Sequence, residues 1–146
     1  MKDKKLEELE SYVYDNQYFL EKSKDVDNLK KDIDTILYRI NDMKLKNIDT
    51  REIESRLNIL FENQSKEERF LQRLVVKKEE IERRIDDMPQ PYKNILFLKY
   101  IKGNSFDEIA KKMHYSTKRV YQLHKEGVKI YIKLAEYTSV PEISKN

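Results

Sequence analysis

The sequence predicts an all-α protein, with a long N-terminal, coiled-coil-like helical hairpin followed by a C-terminal three-helix domain. Three observations predict it. Glycine occurs 2 times and proline 3 times in 146 residues, too few turn formers for a chain of short strands. Apolar residues recur alternately three and four positions apart over two long stretches, the spacing of a heptad seam. Charged residues make up 39% of the chain and hydrophobic ones 38%. That charge level suits disorder if unpatterned, but the strong periodicity points to long helices with solvated faces.

The first element is a short helix from Lys2 to Leu20, with Leu6, Leu9 and Val13 at helical spacing. Tyr12, Tyr14 and Tyr18 carry rings that can stack on bases, but they read first as packing residues with the hydroxyl at the surface. A second helix runs from Asp25 to Lys46, its seam formed by Val26, Leu29, Ile33, Ile36, Ile40 and Met43. Asn47-Ile48-Asp49-Thr50 interrupts it, and Asp49 or Thr50 can cap the next helix.

The third helix spans about Arg51 to Asp87. Its seam is Ile53, Leu57, Leu60, Gln64, Glu67, Leu71, Leu74, Lys78, Ile81, Ile85 and Met88. Gln64, Glu67 and Lys78 put polar groups on it, which lowers stability and helps to fix register or partner number. The four-residue link makes the two helices an antiparallel hairpin. Each stripe can be buried on the other helix or on a second copy of the chain, so a homodimer or higher homo-oligomer through the heptad helices is expected.

Met88-Pro89-Gln90-Pro91 marks the boundary, because each proline disfavours helix in the residue before it. The expected division is residues 1–88 as hairpin, 89–137 as a helix-turn-helix domain and 138–146 as a tail that frays from Val140 onward. Pro91 suits the first turn of a short apolar helix, Tyr92 to Tyr100, and Gly103 is available for positive φ in the turn after it.

Ser105 and Glu108 then have capping-box spacing, and Phe106, Ile109, Ala110 and Met113 fall on one helical face. His114-Tyr115-Ser116 interrupts the pattern, and Ser116 can cap a second helix with Val120 and Leu123 on its buried side. Ala110 is small where the two helices must approach. This is a helix-turn-helix. After Lys133 its second helix is expected to fade.

Charge supports a polyanionic partner for this segment. From Pro89 to Tyr137 there are ten basic and four acidic residues, net +6, whereas residues 1–88 carry 19 against 22, net −3. A cationic face gains affinity for nucleic acid by releasing counterions. With no cysteine, disulfides and thiolate metal sites are excluded. No apolar run approaches the ~20 residues of a membrane span, and no signal-peptide core follows Met1, so a cytoplasmic protein is expected. His114 and His124 lack metal-ligand spacing on one helix face, and there is no glycine-rich phosphate loop or nucleophile elbow. No catalytic residue, metal or cofactor is therefore expected.

The stretches YKNILFLKYIKGNSFDEIAKKM and STKRVYQLHKEGVKIY carry a resemblance. Pro91 to Leu134 resembles region four of bacterial sigma factors, and within that class the small sigma-region-four-like regulators of phages and prophages. Arg119, Val120, Gln122, Leu123 and Val128 match the recognition-helix pattern identically or conservatively. The resemblance implies a DNA-reading domain that can also contact RNA polymerase, in a protein associated with control of late-gene transcription. Two departures matter. Sigma factors that read the −35 element place Arg and Glu where this chain has Thr117 and Lys118, so a different DNA sequence is expected. His114 stands where glycine is usual, and histidine tolerates left-handed backbone better than most residues. No counterpart of the helices that bind polymerase core and melt the promoter is recognised, so a complete sigma factor is not expected.

These readings assign roles on double-stranded DNA. Thr117, Lys118, Tyr121 and Gln122 are expected to reach base edges from the start of the recognition helix. Lys111, Lys112, Arg119 and Lys125 are expected on phosphates, together with the helix N-termini at Ser105 and Ser116. The function expected is a sequence-specific transcriptional regulator. The alternatives are a polymerase-interacting module with weak DNA specificity and a DNA-packaging protein like the small terminase subunits, which usually carry the DNA-binding part first.

Overall fold

A computed structural model describes residues 3–138. Six α-helices follow one another: α1 (Lys4–Glu10), α2 (Tyr12–Leu45), α3 (Arg51–Asp86), α4 (Tyr92–Leu96), α5 (Phe106–Met113) and α6 (Thr117–Thr138). A π-helical turn, Phe97–Ile101, continues α4. No strand occurs among the described residues, so the all-α expectation holds.

Several boundaries differ from the sequence reading. The first helix ends at Glu10, where Ser11 forms a single turn residue whose hydroxyl donates to the Glu8 carbonyl while its amide still donates to the Glu7 carbonyl. The next helix starts at Tyr12 and runs unbroken through the polar stretch after Leu20, where Ser23 Oγ donates to the Phe19 carbonyl. The apolar gap at residues 21–25 is thus a helical turn, exposed except at Lys22 and Ser23, and not a break. α6 does not fade at Lys133 but continues to Thr138, with Ala135 fully buried. The tail from Val140 to Asn146 lies outside the described residues.

The helices form two compact units. One is Gln17–Val76, the middle of the hairpin. Here Ile33, Ile40 and Leu57 make a buried cluster flanked by Leu29, Ile36, Ile53 and Leu60. The seam positions are buried or half-buried from Val26 to Met43 and from Ile53 to Leu74, so the heptad register is the one the sequence predicts. The stripes pair within one chain. Polar seam residues find partners there too: Glu67 pairs with Lys22 at 3.6 Å, and Gln64 donates to Glu68 at 3.1 Å. The turn closes with Asn47 in the left-handed region, φ 57, where the Ile48 amide donates to the Met43 carbonyl. Asp49 accepts from the Arg51 amide to start α3.

The other unit comprises the described residues of Met1–Asn16 and Lys77–Asn146. Its core joins Leu9 and Tyr12 from the start of the chain, Ile81, Ile85 and Met88 from the end of α3, and Ile95, Leu96, Tyr100, Ile109, Ala110, Val120, Leu123 and Tyr131. Compactness therefore does not follow the prolines at the 88/89 boundary. α4, α5 and α6 are the three expected helices, but they bury their apolar surface only together with α1 and the ends of the hairpin helices. Tyr12 donates to Glu82, and Lys77 pairs with Asp15 at 3.0 Å. Arg84, only 5% exposed, donates to the Tyr131 hydroxyl at 3.1 Å and lies over its ring.

Candidate nucleic-acid interface

The helix-turn-helix is built by local chemistry at each of its joints. Gly103 has φ 74, and the Asn104 amide returns to the Leu98 carbonyl to turn the chain into α5. At Ser105 the capping box is complete: its hydroxyl accepts from the Glu108 amide, and the Glu108 carboxylate accepts from the Ser105 amide. Those bonds from Ser105 hold the Glu108 carboxyl below its ordinary value. α5 ends with His114 in the left-handed region, φ 58 and ψ 40, and the Tyr115 amide donates to the Ala110 carbonyl at 3.0 Å. A non-glycine residue does close this turn. Ser116 Oγ then accepts from the Arg119 amide and caps α6.

These joints fix which face of α6 is free. Val120 and Leu123 are buried against α5, and Gly127 is buried against α4. On the opposite face Lys118, Gln122, Lys125 and Lys129 are exposed in one line at spacings of four, three and four. Among the described residues, none holds any of the four by a hydrogen bond or ion pair. Tyr121, 54% exposed, flanks the line, its ring 4.4 Å from that of Phe106. The Lys99 ammonium lies over the same Phe106 ring, 4.3 Å from its centroid.

The remaining sequence-predicted residues are distributed differently. Thr117 is half-buried and donates to Asp107 at 3.2 Å, a bond that ties the start of α6 to α5. Lys112 donates to Asn104 at 2.9 Å, whereas Lys111 is exposed. Ser105 and Ser116 commit their hydroxyls to caps. Arg119 is exposed on the other flank of α6, near the Tyr92 hydroxyl that donates to Glu126 at 2.8 Å. The structure therefore brings Lys118, Tyr121, Gln122 and Lys125 onto one surface, leaves Lys111 and Arg119 beside it, and engages Thr117 and Lys112 in bonds within the domain. Lys129 was missed by sequence reasoning. Its four-residue step from Lys125 was the available signal.

Behind the exposed line, His124 is clamped on its inner side. Its Nε2 lies 2.6 Å from the Tyr100 hydroxyl, and its ring meets Phe106 edge-on at 4.9 Å. Burial pushes His124 below its ordinary value, and the Lys99 ammonium adds to this, with Glu10 opposing. Burial likewise pushes the Tyr100 hydroxyl up to about 12. The folded domain thus favours the neutral imidazole. A depressed folded pKa leaves stability complete above the ordinary value of 6.5 and erodes it as pH falls below that toward the folded value. The melting transition of the unit that holds His124 is expected to move down between pH 7 and pH 5 in the wild type and to stay flatter in His124→Phe. Parallel curves would show that His124 does not carry the dependence.

Neither curated proteins nor solved structures give a match to this chain. A protein-family model does: residues 78–129 match the family described as Sigma-70, region 4. The matched span begins in the last turns of α3, close to where the C-terminal compact unit resumes at Lys77, and ends within α6. It contains the turn at Gly103, both caps and the exposed line of α6. Residues 78–129 are thus similar to sigma-70 region 4, and the helix-turn-helix formed by α5 and the first part of α6 lies within that span.

Proposed function

We propose that the protein is a transcriptional regulator that reads promoter DNA by placing α6 in the major groove. The observation that carries this reading is the unpartnered line Lys118, Gln122, Lys125 and Lys129 on the outward face of a helix capped and buried on its other side. Gln122 offers the paired acceptor and donor that suit an adenine edge, and the lysines suit guanine edges or phosphates. Tyr121, braced on Phe106, presents a fixed ring beside them. Thr117 acts by holding α6 on α5 and so positions the readers. Lys111 and Arg119 reach phosphates on either side, and Lys112 joins them by releasing Asn104. Phage or prophage encoding, late-gene control and a contact with RNA polymerase belong to the same reading and rest on the sigma-like resemblance. Among the described residues no helix is long and apolar enough to cross a membrane, which fits a regulator acting on DNA in the cytoplasm.

Selection of binding sites from random duplexes tests the reading. An enriched motif is expected for the wild type. Gln122→Ala is expected to cost about 1–3 kcal/mol on that motif and to relax the preference at one position. Lys129→Gln is expected to weaken binding to every duplex alike and to lower the salt slope by about 0.9. Equal losses on selected and random DNA for Gln122→Ala would sink its assignment as a reader. No enriched motif, with RNA polymerase retained on the immobilised protein, would favour the interaction module.

A further inference from the structure

The seam of the hairpin is consumed within one chain, so an association of copies needs another surface, and the unit Gln17–Val76 carries one. Along one edge Lys30 of α2 pairs with Glu68 of α3 at 3.4 Å, and Lys44 of α2 pairs with Glu54 of α3 at 3.0 Å. Residues 30, 37 and 44 are seven apart, as are 54, 61 and 68, so each set lies on one line of its helix. Leu37 and Phe61 occupy the rung between the two ion pairs, and each is 42% exposed. One rim of this edge is therefore Lys–Leu–Lys and the other Glu–Phe–Glu.

That pattern is its own complement for one arrangement. A two-fold axis parallel to the hairpin sets α2 of one copy against α3 of the other at the same height. Lysine then meets glutamate at both outer rungs, and Leu37 meets Phe61 at the centre. Packing the hairpins in opposite directions would set lysine against lysine and glutamate against glutamate. Each carboxylate has two oxygens, so an existing pair can accept a second ammonium and become a four-charge network. We propose that the hairpin pairs with a second copy of this chain along the edge Lys30, Leu37 and Lys44 of α2 and Glu54, Phe61 and Glu68 of α3, with the hairpins running in the same direction. This goes beyond the DNA-reading function and does not depend on it.

The test is the mass of the full chain in DNA-free solution, by sedimentation equilibrium over a concentration series. The wild type is expected to approach twice the 17.8 kDa chain mass. Lys30→Glu with Lys44→Glu makes an edge that is wholly acidic, and Glu54→Lys with Glu68→Lys makes one that is wholly basic. Each double variant alone is expected at the single-chain mass, and an equimolar mixture of the two is expected to return to the two-chain mass. Exposed ion pairs add little to the stability of a hairpin, so the helical circular dichroism of both should match the wild type. If either unfolds, Leu37→Gln provides the same test through a loss of the two-chain fraction. A wild type at single-chain mass throughout, charge variants that keep the wild-type mass, or a mixture that stays at the single-chain mass would each overturn the proposal. DNA binding by a single-chain wild type would leave the reading of α6 intact while removing this interface.

Discussion

Leu9→Ala is expected to loosen the DNA-binding domain although it lies almost a hundred residues before the helix-turn-helix. Leu9 is fully buried in the cluster that holds Val120, Leu123 and Tyr131 of α6. Truncating a buried leucine to alanine costs about 2–5 kcal/mol, with the larger values where the cavity cannot collapse. Set against the ~5–15 kcal/mol that stabilises a typical domain, this is a large fraction. Since the chain has two compact units, one global melting curve need not report on the right one. Hydrogen exchange at the Val120 and Leu123 amides does: both should lose protection in Leu9→Ala, and DNA affinity should fall with them. Leu20→Ala is the control, because Leu20 is exposed in the other unit and its loss should leave α6 untouched. Unchanged protection at α6 in Leu9→Ala would show that α1 is a passenger.

Gly127→Leu is expected to be comparably damaging for the opposite reason. A Cβ on residue 127 would come within 2.8 Å of Leu96 Cδ1 and 3.4 Å of Tyr92 Cβ. Leu96 is fully buried, so its methyl has little room to swing, and the Tyr92 Cβ is carried by the α4 backbone. A leucine there must push α4 away from α6. Overpacking of this kind costs about 1–3 kcal/mol, occasionally more, and exceeds the ~1 kcal/mol that leaving glycine gains in helix propensity. Hydrogen exchange at the Val120 and Leu123 amides of the variant should show the loss, and a folded variant should bind DNA more weakly because the support beneath α6 has shifted. A variant as stable as the wild type would mean that α4 and α6 can separate at little cost.

These two residues mark where the sequence was readable and where it was not. Gly127 sits within a helical pattern with no turn around it, and nothing local says which neighbour requires the missing side chain. Leu9 was legible as apolar and helical, but its partner surface belongs to segments that only the fold brings near. Arg84 and Tyr131 are a third case. A buried arginine runs against the usual exposure of charged residues, and here the tyrosine hydroxyl accepts from it while the ring lies beneath it. In contrast, the caps at Ser105 and Ser116, the left-handed turn at Gly103 and the heptad register from Val26 to Leu74 were legible, because each depends on contacts within a few residues or on strict periodicity, while the left-handed turn at His114 was expected from the sigma-like resemblance.

The sequence by itself determined the all-α class, the hairpin register, the position of the helix-turn-helix and the cationic bias of the segment that carries it. All of these are local or periodic properties, and side-chain spacing expresses them directly. The tertiary structure alone decided that the seam is satisfied within one chain, that the start of the chain completes the core of the DNA-binding unit, and which polar side chains remain free on α6. Thr117 and Gln122 are both polar residues early in the same helix. One is within reach of Asp107 on α5 and is bonded to it, while the other points away from every neighbouring element, and that difference is set by the packing of α6 on α5.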